Sequence, residues 1–206
     1  MSKPFHFAEI FYSLQGEGHR SGTPTVFARF AGCNLQCNQL ENGFDCDTDF
    51  SRQLSLEDVD LVHRACEKVD VGDSRRVIFT GGEPGLQLTE ELVEYLHVKG
   101  WHISVETNGM YRLPRGIDWI SCSPKPGIPE EKIVVEDVDE VRLVIGRQSL
   151  PSLRTRIPKA DHLFVSPAFL ANGEIDRVAL RQCITFVRTR TDWRLSVQQH
   201  KTWGVR

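Results

Sequence analysis

The stretch Val77-Ile78-Phe79-Thr80-Gly81-Gly82-Glu83-Pro84 decides the fold. Three apolar residues run into a glycine pair, the pattern of a short buried strand that stops at a tight turn. After it, Leu86 to Val98 has helical character with Gly100 as a stop, and Trp101 to Val105 reads as the next strand. Strand, helix, strand in that order is a parallel βαβ unit. The same rhythm extends in both directions. Pro24 to Ala31 alternates as a strand does, with Arg29 among apolar neighbours. Leu56 to Val69 places Leu56, Val59, Val62, Ala65, Cys66 and Val69 on one helical face, opened at Ser55 or Leu56 with Glu57 and Asp58 in the first turn. Trp119 to Cys122, Glu140 to Ile145, His162 to Val165 and Arg194 to Val197 read as further strands, Asp176 to Arg188 as a last helix, and Gln198 to Arg206 as a tail. The expectation is an α/β protein with a mainly parallel sheet and its ligand at the carboxyl ends of the strands. Thr80, Glu106, Ser123 and Lys125 fall at those ends. No repeat or low-complexity linker divides the chain, so residues 1–206 read as one domain.

Bulk composition narrows the function classes. Of 206 residues, 40% are hydrophobic and 26% charged, ordinary for a globular protein, and the net charge of −3 provides no basic field for nucleic acid. Met1 to Glu9 contains no apolar export core, and no apolar run approaches the roughly 20 residues of a membrane helix. A reducing cytoplasm is therefore expected, where six cysteines read as metal ligands or buried thiols.

Cys33, Cys37 and Cys46 share one short loop that leads into Asp47-Thr48. Three thiolates hold a four-iron cluster and leave one iron open for substrate or cofactor, which favours catalysis over structure. From spacing alone, half a zinc site completed by His6, His19 or an Asp stays open, as do unrelated thiols. Cys66, Cys122 and Cys183 lie on apolar faces and read as buried thiols, and His63 and His97 as ordinary surface or core residues. The Gly81-Gly82-Glu83-Pro84 turn is by itself only a turn. Beside a three-cysteine loop it becomes a site where backbone and the Glu83 carboxylate approach an amino group. Gln15-Gly16-Glu17-Gly18 is either a polar turn or a reader of a planar heterocycle through paired donors and acceptors.

At these residues the chain resembles the radical S-adenosylmethionine superfamily and, within it, the 7-carboxy-7-deazaguanine synthase family. The matching stretches are Phe11 to Gly18, Gly32-Cys33-Asn34-Leu35, Cys46-Asp47-Thr48, Thr80 to Pro84, Glu106-Thr107-Asn108-Gly109, Ser123-Pro124-Lys125 and Trp193 to Lys201. Two departures stand out. Eight residues separate Cys37 from Cys46 where that superfamily has two, and Val165-Ser166-Pro167-Ala168 occupies the stretch that usually carries Gln-Pro.

The resemblance implies a partial (β/α) barrel with a shortened helical complement, a homodimer, and a carbon–nitrogen lyase of queuosine biosynthesis. The implied reaction contracts 6-carboxy-5,6,7,8-tetrahydropterin to 7-carboxy-7-deazaguanine and releases ammonia, started by a 5′-deoxyadenosyl radical that takes hydrogen from C6 and later regains it. Cofactors would be a [4Fe-4S] cluster on Cys33, Cys37 and Cys46, S-adenosylmethionine, and Mg²⁺ on Thr48. Asp45, Cys46, Asp47, Gly82, Glu83, Ser123, Pro124, Lys125, Ser166, Pro167, Ala168 and Phe169 would hold S-adenosylmethionine. Leu14, Gln15, Gly16, Glu17, Arg29, Thr80, Glu106, His200 and Arg206 would hold the pterin, with Arg29 on its carboxylate. A flavodoxin or ferredoxin would deliver electrons. A glycyl-radical activase is the rival enzyme, which the elements at Gln15 and His200 disfavour; a non-enzymatic iron–sulfur or zinc module is the rival from another class.

Overall fold

Period-two alternation along the strands divides the sheet into an apolar and a polar face. The computed structural model describes residues 3–147 and 157–206. In chain order its elements are β1 (Phe5–Leu14), β2 (Pro24–Phe30), α1 (Gln39–Asn42), β3 (Leu54–Leu56), α2 (Val59–Val69), β4 (Arg76–Gly81), α3 (Glu90–Val98), β5 (His102–Thr107), β6 (Trp119–Cys122), β7 (Asp137–Ile145), β8 (Lys159–Pro167), α4 (Arg177–Arg188), β9 (Trp193–Leu195) and α5 (Gln199–Trp203). They build one sheet in the order β3-β1-β2-β4-β5-β6-β7-β8-β9. Every neighbouring pair from β2 to β9 is parallel, and β1 and β3 are added antiparallel. The two ends, β3 and β9, are not paired, so the fold is a partial barrel.

Val26, Ala28 and Phe30 of β2, Val77 and Phe79 of β4, and Ile103 and Val105 of β5 face α2 and α3, whose Val62, Cys66, Leu92, Val93 and Leu96 complete that core. A second core joins Val141, Leu143 and Ile145 of β7 to Val165 of β8 under Cys183 and Phe186 of α4. Each fully buried aliphatic or aromatic side chain here contributes about 1.5–3 kcal/mol of transfer energy. The intervening residues Arg29, Thr80, Ser104, Glu106, Ser121, Glu140, Arg142 and Ser166 fall on the opposite, concave face.

The structure moves several expected boundaries. The helix read from Leu56 starts at Val59, because Leu54 to Leu56 pairs with Phe5 to Phe7 as an edge strand and Asp58 is the cap, its Oδ1 accepting from Leu61 N at 2.9 Å. The helix read from Leu86 starts at Glu90. A 3₁₀ turn occupies Pro84–Leu86, and Thr89 caps the helix through Leu92 N at 3.2 Å. The tail beyond Gln198 contains α5.

Glu83 ties the ends of β4 and β5 together. It is fully buried, and its carboxylate accepts from Thr107 Oγ1 at 2.7 Å, Asn108 N at 2.8 Å and Gly85 N at 2.9 Å. Burial pushes its pKa up against those donors. Thr107→Val keeps the shape but removes the donor to Glu83 and the acceptor for Gly109 N at 3.0 Å, so it should cost on the order of 1–3 kcal/mol, or a few degrees of melting temperature. Calorimetry showing an unchanged transition would contradict this role for Glu83.

Candidate active site

The carboxyl ends of the parallel strands open onto a cavity of about 420 Å³. The strand ends bring Arg29, Thr80, Glu106, Ser166 and Pro167 there, and the connections that follow bring Gly82, Ser123, Lys125, Ala168 and Phe169. The β1–β2 connection adds Leu14, Gln15, Gly16 and Glu17. The loop after β2 adds Cys33, Cys37, Asp45, Cys46, Asp47 and Thr48, and the last segment adds His200 and Arg206. Of the residues singled out from the sequence, Glu83 and Pro124 do not line the cavity; both are buried behind it.

The long Cys37–Cys46 gap closes on itself. Asn38 caps α1 by accepting from Leu40 N and Glu41 N, each at 3.0 Å, and Asp45 Oδ1 accepts from Gln39 N at 3.2 Å. Gly43 turns the helix end in the left-handed region, and Cys46 N then donates to the Cys37 carbonyl at 3.2 Å. Buried Asn42 anchors the excursion through Pro126 O at 2.8 Å. The extra residues thus form a side loop that returns Cys46 to Cys37. At the other end of the loop, Gly82 presses on the Gly32 backbone so closely that a Cβ there would overlap the Gly32 carbonyl, and Glu83 N donates to that carbonyl at 3.0 Å. The glycine turn therefore fixes where Cys33 begins.

The thiols suit a cluster better than a single ion. Cys33 and Cys37 are half-buried and Cys46 is exposed, all three on the cavity wall. Burial raises the Cys33 and Cys37 pKa values, and the Lys125 charge works the other way. Cys33 Sγ accepts from Leu35 N at 3.4 Å. Among the described residues no three His, Cys, Asp or Glu side chains converge as a single metal ion requires. A four-iron cube holds its thiolates farther apart. His6, one candidate for a fourth zinc ligand, bonds Ser55 instead, and His19 stacks on His162 with ring centres 3.9 Å apart. On the wall of the same cavity, Ser166 Oγ and Gln198 Oε1 are buried without a hydrogen-bond partner, two polar atoms available to a ligand.

The cavity's charges separate by place. At one end Arg29 Nε donates to Glu9 Oε1 at 2.9 Å, and Arg206 pairs with the same carboxylate. Two guanidinium groups thus share one carboxylate. Over the concave floor Arg142 is buried, with NH1 2.5 Å from Glu17 Oε2 and NH2 2.5 Å from Glu106 Oε1. Its Nε lies 3.2 Å from Glu140 Oε1, too poorly aligned for a hydrogen bond. Three anions against one cation leave −2. Burial alone would raise the Glu106 pKa, but Arg142 and the hydrogen bonds from Thr80, Arg142 and Gln15 hold it at about 2. Gln15 Nε2 and Thr80 Oγ1 donate at 3.0 and 2.7 Å. The His200 ring fills the space a side chain at Gly16 would take, and Gln199 N donates to Gly16 O at 2.9 Å. Sequence reading missed Arg142. Its signal was present, since Glu140 and Arg142 alternate with Val141 and Leu143.

Known proteins resemble this chain in sequence and in fold. Residues 14–109 match a family model described as a 4Fe-4S single cluster domain. The chain is 38% identical to the 7-carboxy-7-deazaguanine synthase of Bacteroides thetaiotaomicron, over 96% of this chain and 97% of that one. It is 35% identical to the synthase of Nitratidesulfovibrio vulgaris, over 98% and 99%, and 37% identical to that of Burkholderia multivorans, over 96% and 97%. The chain belongs to the 7-carboxy-7-deazaguanine synthase family. Its fold is shared with the crystal structure of QueE from Escherichia coli at a TM-score of 0.71 and 23% identity, covering 95% of this chain and 94% of that one. Among the described residues no helix is long and apolar enough to cross a membrane.

Burial divides the six thiols into two classes. Cys66, Cys122 and Cys183 are buried and pushed up to about 12, so in the metal-free protein they should react with Ellman's reagent orders of magnitude more slowly than Cys33, Cys37 and Cys46. Mass mapping that finds a buried thiol labelled alongside the loop thiols would contradict the assignment.

Proposed function

We propose that this chain converts 6-carboxy-5,6,7,8-tetrahydropterin to 7-carboxy-7-deazaguanine with release of ammonia, as a radical S-adenosylmethionine enzyme. The observation that carries this reading is the polarised cavity. Its cationic end at Arg29 and Arg206 suits a carboxylate, and its anionic floor at Glu17 and Glu106 suits the N–H-rich edge of a pterin. Arg29 commits Nε to Glu9, which leaves the terminal nitrogens of its guanidinium to grip a carboxylate through two parallel bonds.

Cys33, Cys37 and Cys46 would hold a [4Fe-4S] cluster, which when bound supplies the electron that cleaves S-adenosylmethionine. Asp45, Asp47, Gly82, Ser123, Lys125 and Ser166 to Phe169 would hold the cofactor, the unpartnered Ser166 Oγ reaching its nucleoside. Buried Glu83 and Pro124 would act from behind by fixing the backbone. Thr48 would provide a hard oxygen to Mg²⁺. Leu14, Gln15, Gly16, Thr80 and His200 would complete the pterin pocket and keep water out of it. A homodimer, a cytoplasmic setting and electron delivery by a flavodoxin or ferredoxin complete the reading, and one domain spanning residues 1–206 suits the single sheet.

The test is anaerobic reconstitution followed by incubation with S-adenosylmethionine, reductant, Mg²⁺ and the carboxypterin. Chromatography should show 7-carboxy-7-deazaguanine, and its absence from a protein carrying full iron would contradict the assignment. Arg29→Lys keeps the charge but loses the two-pronged geometry, so pterin affinity should fall by on the order of 1–3 kcal/mol while uncoupled cofactor cleavage persists. Unchanged affinity would end the carboxylate-clamp role.

A further inference from the structure

Arg142 is the buried cation that joins Glu17 and Glu106 on the concave floor, and its position is unusual for a strand residue. Its guanidinium spans two carboxylates from distant parts of the chain, Glu17 on the β1–β2 connection and Glu106 at the end of β5. Neither segment needs Arg142 to hold its place in the fold. Glu106 already accepts from Gln15 and Thr80, and the Glu17 loop is fastened elsewhere, by Ser196 Oγ accepting from Gly18 N at 2.9 Å and Glu140 Oε2 accepting from His19 N at 2.8 Å. What Arg142 adds is a shared orientation, because a planar fork fixes both carboxylates in one geometry, and a counter-charge that lets both face the cavity as pure acceptors.

We propose that Arg142 is a positioning residue that sets ligand specificity: it locks Glu17 and Glu106 into an all-acceptor floor that admits a heterocycle edge bearing an amino group and ring N–H, and rejects the edge in which oxygen replaces that amino group. This rests on the proposed pterin reading and adds to it the source of discrimination. Two carboxylates facing a carbonyl oxygen have no proton to offer it, so the oxo analogue sets acceptor against acceptor where the amino group would have donated. A site built to receive a donor rejects the analogue lacking it far more strongly than a greasy pocket rejects a changed methyl.

Without Arg142 the floor changes character with pH. Burial then acts on Glu106 with no guanidinium opposing it, so its carboxyl takes up a proton at a higher pH than before. A protonated carboxyl can donate to the carbonyl oxygen of the oxo analogue, which an ionised one cannot. The sign follows: the variant's preference for the amino edge is retained above the raised pKa and shrinks as pH falls through it. Wild-type Glu106, held at about 2, stays ionised throughout that range. Other titratable groups face the same space. His200 lies over Gly16 beside Glu17, Asp47 and Lys201 lie beyond it, and His19 and Glu140 lie on the far side of the floor. All are present in wild type and variant alike, so a comparison of ratios cancels them along with the ligands' own titration.

The experiment uses the reconstituted full chain and two probes, 6-carboxypterin and 6-carboxylumazine, which carries oxygen in place of the 2-amino group. Affinities are measured by calorimetry from about pH 8 to about pH 6, where an unperturbed carboxylate does not titrate. Wild type should prefer the pterin by more than about a hundredfold, and its ratio at each pH is the baseline for the variant. Relative to that baseline the ratio in Arg142→Gln should narrow at least about tenfold as the pH falls. A ratio in Arg142→Gln that follows wild type at every pH, with both affinities lowered equally, would show a structural role only and overturn the proposal. Should Arg142→Gln fail to take up iron, Arg142→Lys decides. It keeps the charge without the fork, so the ratio should follow wild type while pterin affinity drops about tenfold, and wild-type affinity there would overturn the proposal. Wild-type protein that binds neither probe fails differently: it contradicts the pterin reading itself and the proposal with it.

Discussion

The buried guanidinium of Arg142 between Glu17 and Glu106 is the constraint on which the site depends. Removing charges from water costs several kcal/mol per ion, and that cost is offset only when partners and hydrogen bonds are well placed. Here they are supplied by four separate segments: β7 brings Arg142, β5 brings Glu106, β4 brings Thr80, and the β1–β2 connection brings Gln15 and Glu17. A closed barrel would fill its interior with packed apolar side chains. This sheet stays open between β3 and β9, so its concave face remains accessible and can carry charge.

The cysteine loop and the charged floor are positioned by the same strands from opposite sides. The end of β2 launches the loop, the glycine turn after β4 pins its first residues, and Thr80, just before that turn, bonds Glu106. A shift of β4 would therefore move both the thiols and the acceptor floor. Across the opening, the last segment links them again: Lys201 Nζ lies 3.3 Å from Asp47 Oδ2, and Gln199 binds the Gly16 backbone. This mutual bracing explains how a side loop of eight residues enters between Cys37 and Cys46 without separating them. The loop's hydrogen bonds are mostly internal, and it leans on the body only through anchors such as Asn42.

Much of this was legible in the sequence, and the misses share a cause. The βαβ rhythm around Val77 to Pro84, the later strands and the Cys33–Thr48 loop rest on local signals, periodicity and spacing, which survive folding. β1 escaped notice because a register shift between Phe7 and Glu9 changes the phase of its alternation partway along. β3 was hidden because three residues carry too little pattern to be read apart from the helix that follows. Arg142 looked like one charge in an apolar strand. Its meaning comes from Glu17 and Glu106, 125 and 36 residues away, which no local rule joins. Glu83 errs in the other direction: its sequence setting points to ligand contact, and the structure turns its carboxylate inward onto Thr107, Asn108 and Gly85.

The central claim is that the thiol loop and the acceptor floor face one cavity, so that a pterin held at the floor presents C6 to the cofactor held at the loop. Turnover of carboxytetrahydropterin deuterated at C6, followed by mass spectrometry of the recovered S-adenosylmethionine, tests it most directly. The account predicts deuterium in the 5′ position of the recovered cofactor. Turnover with bound pterin and cleaved cofactor but no deuterium transfer would contradict it.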